Sequence, residues 1–272
     1  MAEQSILDRI LAQRRLDVQA AERAVPRSEL DSAARQAPPP LDFVARLRAS
    51  APMALIAEIK RASPSKGDLA PGIDAGVQAG LYARAGAAAI SVLTEPTWFK
   101  GTLDDLRAAR RAVDGLGQNR PGILRKDFII DGYQVAVARV CGADSVLLIV
   151  AALEDGRLTD LLAGARALGM EPLVEVNNAA ETSRAVRAGA RLVGVNNRDL
   201  RSFAVDLGTT DRLAALIPAG VLLAALSGVS TRADVERFAA AGASAVLVGE
   251  ALMTAEDPAS KIQQLLGTGV AA

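Results

Sequence analysis

The stretch Cys141-Gly142-Ala143-Asp144-Ser145-Val146-Leu147-Leu148-Ile149-Val150 ends a helical segment on glycine and opens a short aliphatic run. The same pattern recurs at Ala85-Gly86-Ala87 before 89–93, Leu168-Gly169 before 172–176, and Ala188-Gly189-Ala190 before 192–195. It returns at Ala219-Gly220 before 221–224 and Ala241-Gly242-Ala243 before 245–248. Glycine just past a helix takes the left-handed conformation without a Cβ penalty. Each run is too short for a helix and too continuous for a half-exposed strand. It suits a strand buried on both faces, as in a parallel sheet. Runs at 54–60 and 122–126 raise the number to eight. Their spacing of roughly 20–35 residues is that of a βα unit.

Eight βα units predict a (β/α)8 barrel. A doubly wound open sheet is the alternative. It has fewer strands and a glycine fingerprint after the first, which this chain lacks. Residues 1–50 precede the first strand. The apolar positions Ile6, Leu7, Ile10, Leu11 and Val18 predict an amphipathic helix over 5–24, ended by Pro26. Pro38-Pro39-Pro40 is a rigid break, and 41–47 restarts a helix through Phe43, Val44 and Leu47. This segment is too small to hold a core alone. It is expected to pack on the barrel, so that 1–272 form one domain.

Composition narrows the chemistry. Thirty-one basic residues balance 31 acidic ones, which argues against a nucleic-acid or anionic-membrane surface. The chain has no histidine. His-based metal sites and Ser-His-Asp triads are therefore excluded. Acid–base work falls to Lys, Glu, Asp or Tyr. Cys141 is the single cysteine, which rules out an internal disulfide and suggests a reducing cytoplasm. No run is long enough for a transmembrane helix, and no signal-peptide pattern opens the chain.

In such a barrel, chemistry gathers at the C-terminal ends of the strands. Strand 1 carries Glu58 and Lys60, two apart and so on one face, then a loop beginning Arg61-Ala62-Ser63-Pro64-Ser65. A scaffolding salt bridge is the plain reading; a pair used on a ligand is the functional one. The loop itself, with Gly67 and Pro71-Gly72, is suited to close over a ligand. Strand 2 leads to Trp98-Phe99, adjacent aromatics in a chain only 3% aromatic. They fit an apolar wall for a flat ligand as well as plain core packing. Strand 3 ends in Arg125-Lys126, of which one must face inward.

Glu175 interrupts strand 5, and an inward acid in a water-poor mouth is a general-base candidate. Strand 6 ends in Asn196, with Arg198 just beyond, aimed at a ligand or at Asp199 or Asp206. Strands 7 and 8 end in Ser227-Gly228 and Gly249-Glu250, beside helix starts near Thr231 and Asp234 and after Gly249. Loops at these two positions commonly hold a phosphate. Two lysines and two glutamates between a phosphate end and an aromatic wall suit proton transfer on a phosphorylated sugar derivative. No cofactor is expected.

These residues resemble the indole-3-glycerol-phosphate synthase family of tryptophan biosynthesis. Glu58-Ile59-Lys60-Arg61-Ala62-Ser63-Pro64-Ser65 is similar to its signature motif. Ser91-Val92-Leu93-Thr94-Glu95 with Phe99 and Gly101, then Leu124-Arg125-Lys126-Asp127-Phe128-Ile129, match the second and third strands. Leu147-Leu148-Ile149-Val150, Leu173-Val174-Glu175-Val176 and Gly194-Val195-Asn196-Asn197-Arg198-Asp199-Leu200 match the next three, and Ser227-Gly228-Val229 and Leu247-Val248-Gly249 the last.

The resemblance implies ring closure of 1-(2-carboxyphenylamino)-1-deoxyribulose 5-phosphate to indole-3-glycerol phosphate, carbon dioxide and water. It implies Lys126 as general acid, Lys60 on the substrate carboxylate or as a second proton donor, Glu58 tuning both lysines, and Glu175 as base or proton relay in the dehydration. Asn196 and Arg198 would position the intermediate, and Phe99 and Phe128 would pack on the anthranilate ring. Ser63, Leu200, Ser227, Gly228, Gly249 and Glu250 would line the substrate or phosphate pocket.

Leu226-Ser227-Gly228 departs from the Glu-Ser-Gly of bacterial members and resembles the fungal pattern, as do Trp98-Phe99-Lys100 and Val176-Asn177-Asn178. Fungal forms are often one domain of a larger tryptophan-pathway polypeptide, so this chain is expected to be either such a domain or a stand-alone relative. Two other functions fit less well. A phosphoribosylanthranilate isomerase-like barrel wants a different acid–base pair, and a non-catalytic phosphosugar-binding barrel has only Leu226 in its favour.

Overall fold

A computed structural model describes residues 5–199 and 203–268. Eight parallel strands close into a barrel. They are β1 (Ala54–Ile59), β2 (Ala89–Leu93), β3 (Gly122–Lys126), β4 (Ser145–Ile149), β5 (Leu173–Val176), β6 (Leu192–Asn196), β7 (Leu222–Leu226) and β8 (Ala245–Val248). Each pairs with its chain neighbours, and β1 closes on β8 through Ala54↔Ala245 to Ala57↔Val248. The glycines that end the preceding helices, among them Gly142 at φ 91° and Gly242 at φ 94°, are left-handed.

Alternation along the strands separates two buried clusters. Ile56, Ala89, Leu124, Leu147, Leu173, Leu192, Leu222 and Leu247 fill the interior. Their neighbours Leu55, Ile90, Ile123, Val146, Val174, Val193, Leu223 and Val246 face the helical layer. Burial on both faces explains why these strands are continuous aliphatic runs with no polar alternation. Each fully buried Leu, Ile or Val contributes about 1.5–3 kcal/mol of transfer free energy.

Three helices precede β1: α1 (Ile6–Ala24), α2 (Arg27–Gln36) and α3 (Phe43–Arg48). A Ser5–Asp8 capping box starts α1. Phe43 and Leu47 of α3 belong to the interior cluster. A Cβ on Gly122, the first residue of β3, would lie 2.6 Å from the Phe43 ring, so α3 seals the N-terminal end of the barrel there. Buried Asp144 fastens the same end, accepting from Arg120 Nη2 at 2.7 Å and from the Leu41 and Ile123 N–H groups at 2.8 Å each. At the opposite end, α1 reaches β3 through Arg14 Nη2 and Asp127 Oδ2 at 3.3 Å.

Helix α2 was not anticipated. Its sequence RSELDSAARQ buries only Leu30 and Ala34, which pack with Val18, Tyr133 and Ala136. One i,i+4 pair in a polar segment is too faint a periodicity to read. The remaining helices are α4 (Ala75–Arg84), α5 (Leu103–Val113), α6 (Gly132–Val140), α7 (Asp155–Ala167), α8 (Ala179–Arg187), α9 (Gly208–Ala214), α10 (Arg232–Ala240), α11 (Glu250–Met253) and α12 (Pro258–Leu266). No described helix is long and apolar enough to cross a membrane.

Candidate active site

A cavity of about 690 Å³ opens at the C-terminal ends of the strands. β1 delivers Glu58 as an inward residue, opposite Ser91 of β2. Lys60 follows one residue past the strand, and its Nζ lies 2.9 Å from Glu58 Oε1. The two share a face, as period-two geometry requires. Across the mouth, Lys126 ends β3 and points inward, 3.4 Å from Glu175 Oε2 on β5. Asn196 Nδ2 of β6 donates to the other oxygen of Glu175 at 2.9 Å. The Asn196 Oδ1 accepts the Arg198 N–H at 3.0 Å.

Arg125, one residue before Lys126, faces the other way and is buried. Its Nε donates to Thr94 Oγ1 at 3.0 Å, its Nη1 to the Gln134 carbonyl at 2.7 Å, and its Nη2 to Asp127 Oδ2 at 2.7 Å. Adjacent cations thus have separate tasks: Arg125 braces β3 from behind, and Lys126 reaches the cavity.

At the centre of the mouth two ammonium groups, Lys60 and Lys126, face two buried carboxylates, Glu58 and Glu175. Burial pushes the Glu58 carboxyl up, but the Lys60 and Lys126 charges outweigh it and hold it below its ordinary value. Burial pulls the Lys126 ammonium down, but Glu175 and then Glu58 outweigh it and hold it above its ordinary value. Lys126 is therefore held in its charged form beside Glu175. Packing is tight around the first pair. A Cβ on Gly249 would fall 2.4 Å from Glu58 Oε1 and 3.2 Å from Lys60 Nζ.

The β7 and β8 ends form the next side of the mouth, with β8 adjacent to β1. Ser227 (φ 65°) and Gly228 (φ 82°) are both left-handed, which turns the chain sharply at the cavity edge. A Cβ on Gly228 would meet Leu207 Cδ2 at 2.5 Å. Glu250 brings a carboxylate to the rim, where it pairs with Lys66 Nζ at 3.1 Å and Arg198 Nη2 at 3.5 Å. Any phosphate there would meet backbone N–H groups and these two cations, and would be repelled by the Glu250 side chain. The start of α10 is capped internally: Thr231 and Asp234 form a capping box, and Asp234 also accepts the Ser230 N–H at 2.9 Å. Arg198 reaches neither Asp199 nor Asp206 in the way the sequence left open. It donates through Nη1 to the Phe203 carbonyl at 3.2 Å, while Asp206 pairs with Arg212.

Phe99 and Phe128 form an apolar wall, their ring centroids 6.0 Å apart. Trp98 packs on the same interior apolar cluster but does not border the cavity. Of the residues anticipated from the sequence, Glu58, Lys60, Ser63, Phe99, Lys126, Phe128, Glu175, Asn196, Arg198, Ser227, Gly228, Gly249 and Glu250 all border this one cavity. Leu200 lies outside the described residues. Leu226 lines it too, and lining that the sequence did not single out includes Lys66, Leu93, Leu147, Val205 and Lys261. Strand parity identifies the leucines on β2, β4 and β7, since each is inward like Glu58; Lys261 has no local signal. Among the described residues, no cluster of acidic and cysteine side chains is arranged to hold a metal ion.

Residues 7–265 match the protein family described as Indole-3-glycerol phosphate synthase. The chain is 54% identical over 268 residues to the Multifunctional tryptophan biosynthesis protein of Schizosaccharomyces pombe, covering 97% of this chain and 35% of that protein. It thus spans about a third of the fungal relative's length. It is 51% identical to the Indole-3-glycerol phosphate synthase of Roseiflexus sp. (strain RS-1), covering 97% of this chain and 98% of that one. Among solved structures, the 3-hexulose-6-phosphate synthase of Salmonella typhimurium superposes with a TM-score of 0.61 at 16% identity, covering 79% of this chain and 98% of that chain. That likeness concerns the barrel fold alone.

Proposed function

The chain belongs to the indole-3-glycerol phosphate synthase family, and from that premise we propose that its cavity closes the indole ring of a phosphorylated anthranilate–sugar adduct. The substrate is 1-(2-carboxyphenylamino)-1-deoxyribulose 5-phosphate; the products are indole-3-glycerol phosphate, carbon dioxide and water. The observation that carries this reading is the Lys126 ammonium, held charged in the barrel mouth beside the buried Glu175 carboxylate.

Lys126 protonates the ribulose carbonyl oxygen as the ring carbon attacks the carbonyl carbon. A carbonyl oxygen gains negative charge in that step, and a fixed ammonium stabilises it in a site with little water. Lys60 holds the substrate carboxylate until it leaves as carbon dioxide. Glu58 keeps Lys60 aligned, at 2.9 Å. Glu175 takes a proton in the later loss of water, with Asn196 fixing its second oxygen. Arg198 positions the intermediate. Phe99 and Phe128 bound the aromatic ring, and Ser227, Gly228, Gly249 and the Glu250 backbone border the phosphate, with Ser63 also lining the pocket.

Glu58 and Glu175 carry the acidic share of proton transfer: Leu226 supplies no carboxylate, and Glu250 is paired with Lys66 and Arg198 at the rim. The reaction belongs in the cytoplasm, in keeping with a buried, unpaired Cys141. The test is turnover: purified chain and substrate, followed by indole fluorescence. Accumulation of indole-3-glycerol phosphate supports the proposal, and its absence from folded protein rejects it.

A further inference from the structure

Glu95, just past β2, is fully buried, and the reaction above gives it no task. Its Oε1 accepts the Thr97 N–H at 2.9 Å, and its Oε2 accepts those of Trp98 at 2.7 Å and Phe99 at 3.0 Å. Its own carbonyl accepts the Gly101 N–H at 3.0 Å. Gly101 passes so close to β2 that a Cβ would lie 2.1 Å from the Leu93 carbonyl oxygen. Residues 95–101 are thus wrapped around one carboxylate and pressed onto a strand end.

Three converging N–H groups need an acceptor-only partner. A carboxylate has about four lone-pair directions and no hydrogen to clash. A glutamine at this position would turn an NH₂ toward a donor on one side. The cost of burying a charge is offset here by three oriented backbone dipoles.

What the loop presents is functional. Phe99 borders the cavity and faces Phe128. The Phe99 carbonyl accepts the Ala62 N–H at 3.2 Å, which fixes the start of the short hairpin Ala62–Ser63 with Gly67–Asp68. Lys100, at φ 55°, turns its Nζ to Asp68 at 2.5 Å in the same hairpin. A left-handed lysine persists only where its surroundings impose it.

We propose that Glu95 is a positioning residue: its carboxylate is the template on which the loop after β2 folds, setting the Phe99 ring against the substrate and, through the Phe99 carbonyl, the loop after β1. This rests on the proposed function insofar as the ring of the substrate meets Phe99.

Glu95→Gln is expected to raise KM about tenfold, the effect of one displaced wall, with kcat within about twofold of wild type. Phe99→Ala should do the same. The double variant should be no worse than Phe99→Ala alone, because both remove one feature. Multiplying effects, or a fall in kcat at unchanged KM, would overturn the proposal. Amide exchange on the wild-type protein tests the template without a variant. The Thr97, Trp98 and Phe99 amides should exchange as slowly as strand amides, and exchange at the rate of an open loop also overturns it. Wild-type turnover separates the two failures. An inactive wild type rejects the function, and amide protection still judges Glu95.

Discussion

Lys126 Nζ lies 3.4 Å from Glu175 Oε2, joining the ends of β3 and β5 across the barrel mouth. This pairing makes the pH dependence predictable. Burial lowers the Lys126 pKa, but Glu175 and then Glu58 outweigh it, and the net direction is up. The acid form is therefore retained through neutral pH and lost only as pH rises through the raised value. Glu175→Gln removes the larger of the two raising charges. The alkaline limb of kcat/KM should move to lower pH, with the plateau about 10²-fold lower. An unmoved limb would show that Lys126 does not control it.

Gly249→Ala tests the other pair. The backbone there has φ −119°, outside the left-handed region that favours glycine. The new Cβ would sit 2.4 Å from Glu58 Oε1 and must displace the carboxylate or the strand. A shift of that kind is expected to cut kcat/KM about 10–100-fold. Kinetics equal to wild type would mean that the placement of Glu58 and Lys60 is unimportant.

Much of the fold and the site is legible in the sequence. The barrel followed from glycine-ended helices before aliphatic runs, because strands buried on both faces leave that pattern. Glu58, Lys126, Glu175 and Asn196 stood out because each breaks such a run near its end. The partners of Asp127 did not. Arg14 is 113 positions away, and nothing local links them. Glu95 falls in a matched motif, but its role is illegible for another reason: its donors are backbone N–H groups, which every residue but proline carries. Lys66 and Lys261 reach the cavity from loop and helix positions with no periodicity to place them.

The buried Asp127 cluster yields a stability prediction. Its carboxylate accepts Thr94 Oγ1 at 2.6 Å, Arg125 at 2.7 Å and Arg14 at 3.3 Å. Burial raises the Asp127 pKa, but Arg125 and then Arg14 bring it below its ordinary value. The stabilisation is complete above the ordinary carboxylate pKa of about 3.9 and is lost as pH falls through the lowered one. Asp127→Asn should cost about 3 kcal/mol at pH 7. Denaturant unfolding should show the penalty shrinking below pH 4, and a pH-independent penalty would refute this assignment.

The most direct measurement uses substrate labelled in its carboxyl carbon. The wild-type chain should release one labelled carbon dioxide per indole-3-glycerol phosphate formed. Lys126→Met, folded by circular dichroism and still binding substrate, should release neither, with kcat reduced at least about 10³-fold. Turnover by Lys126→Met at the wild-type rate would contradict the account.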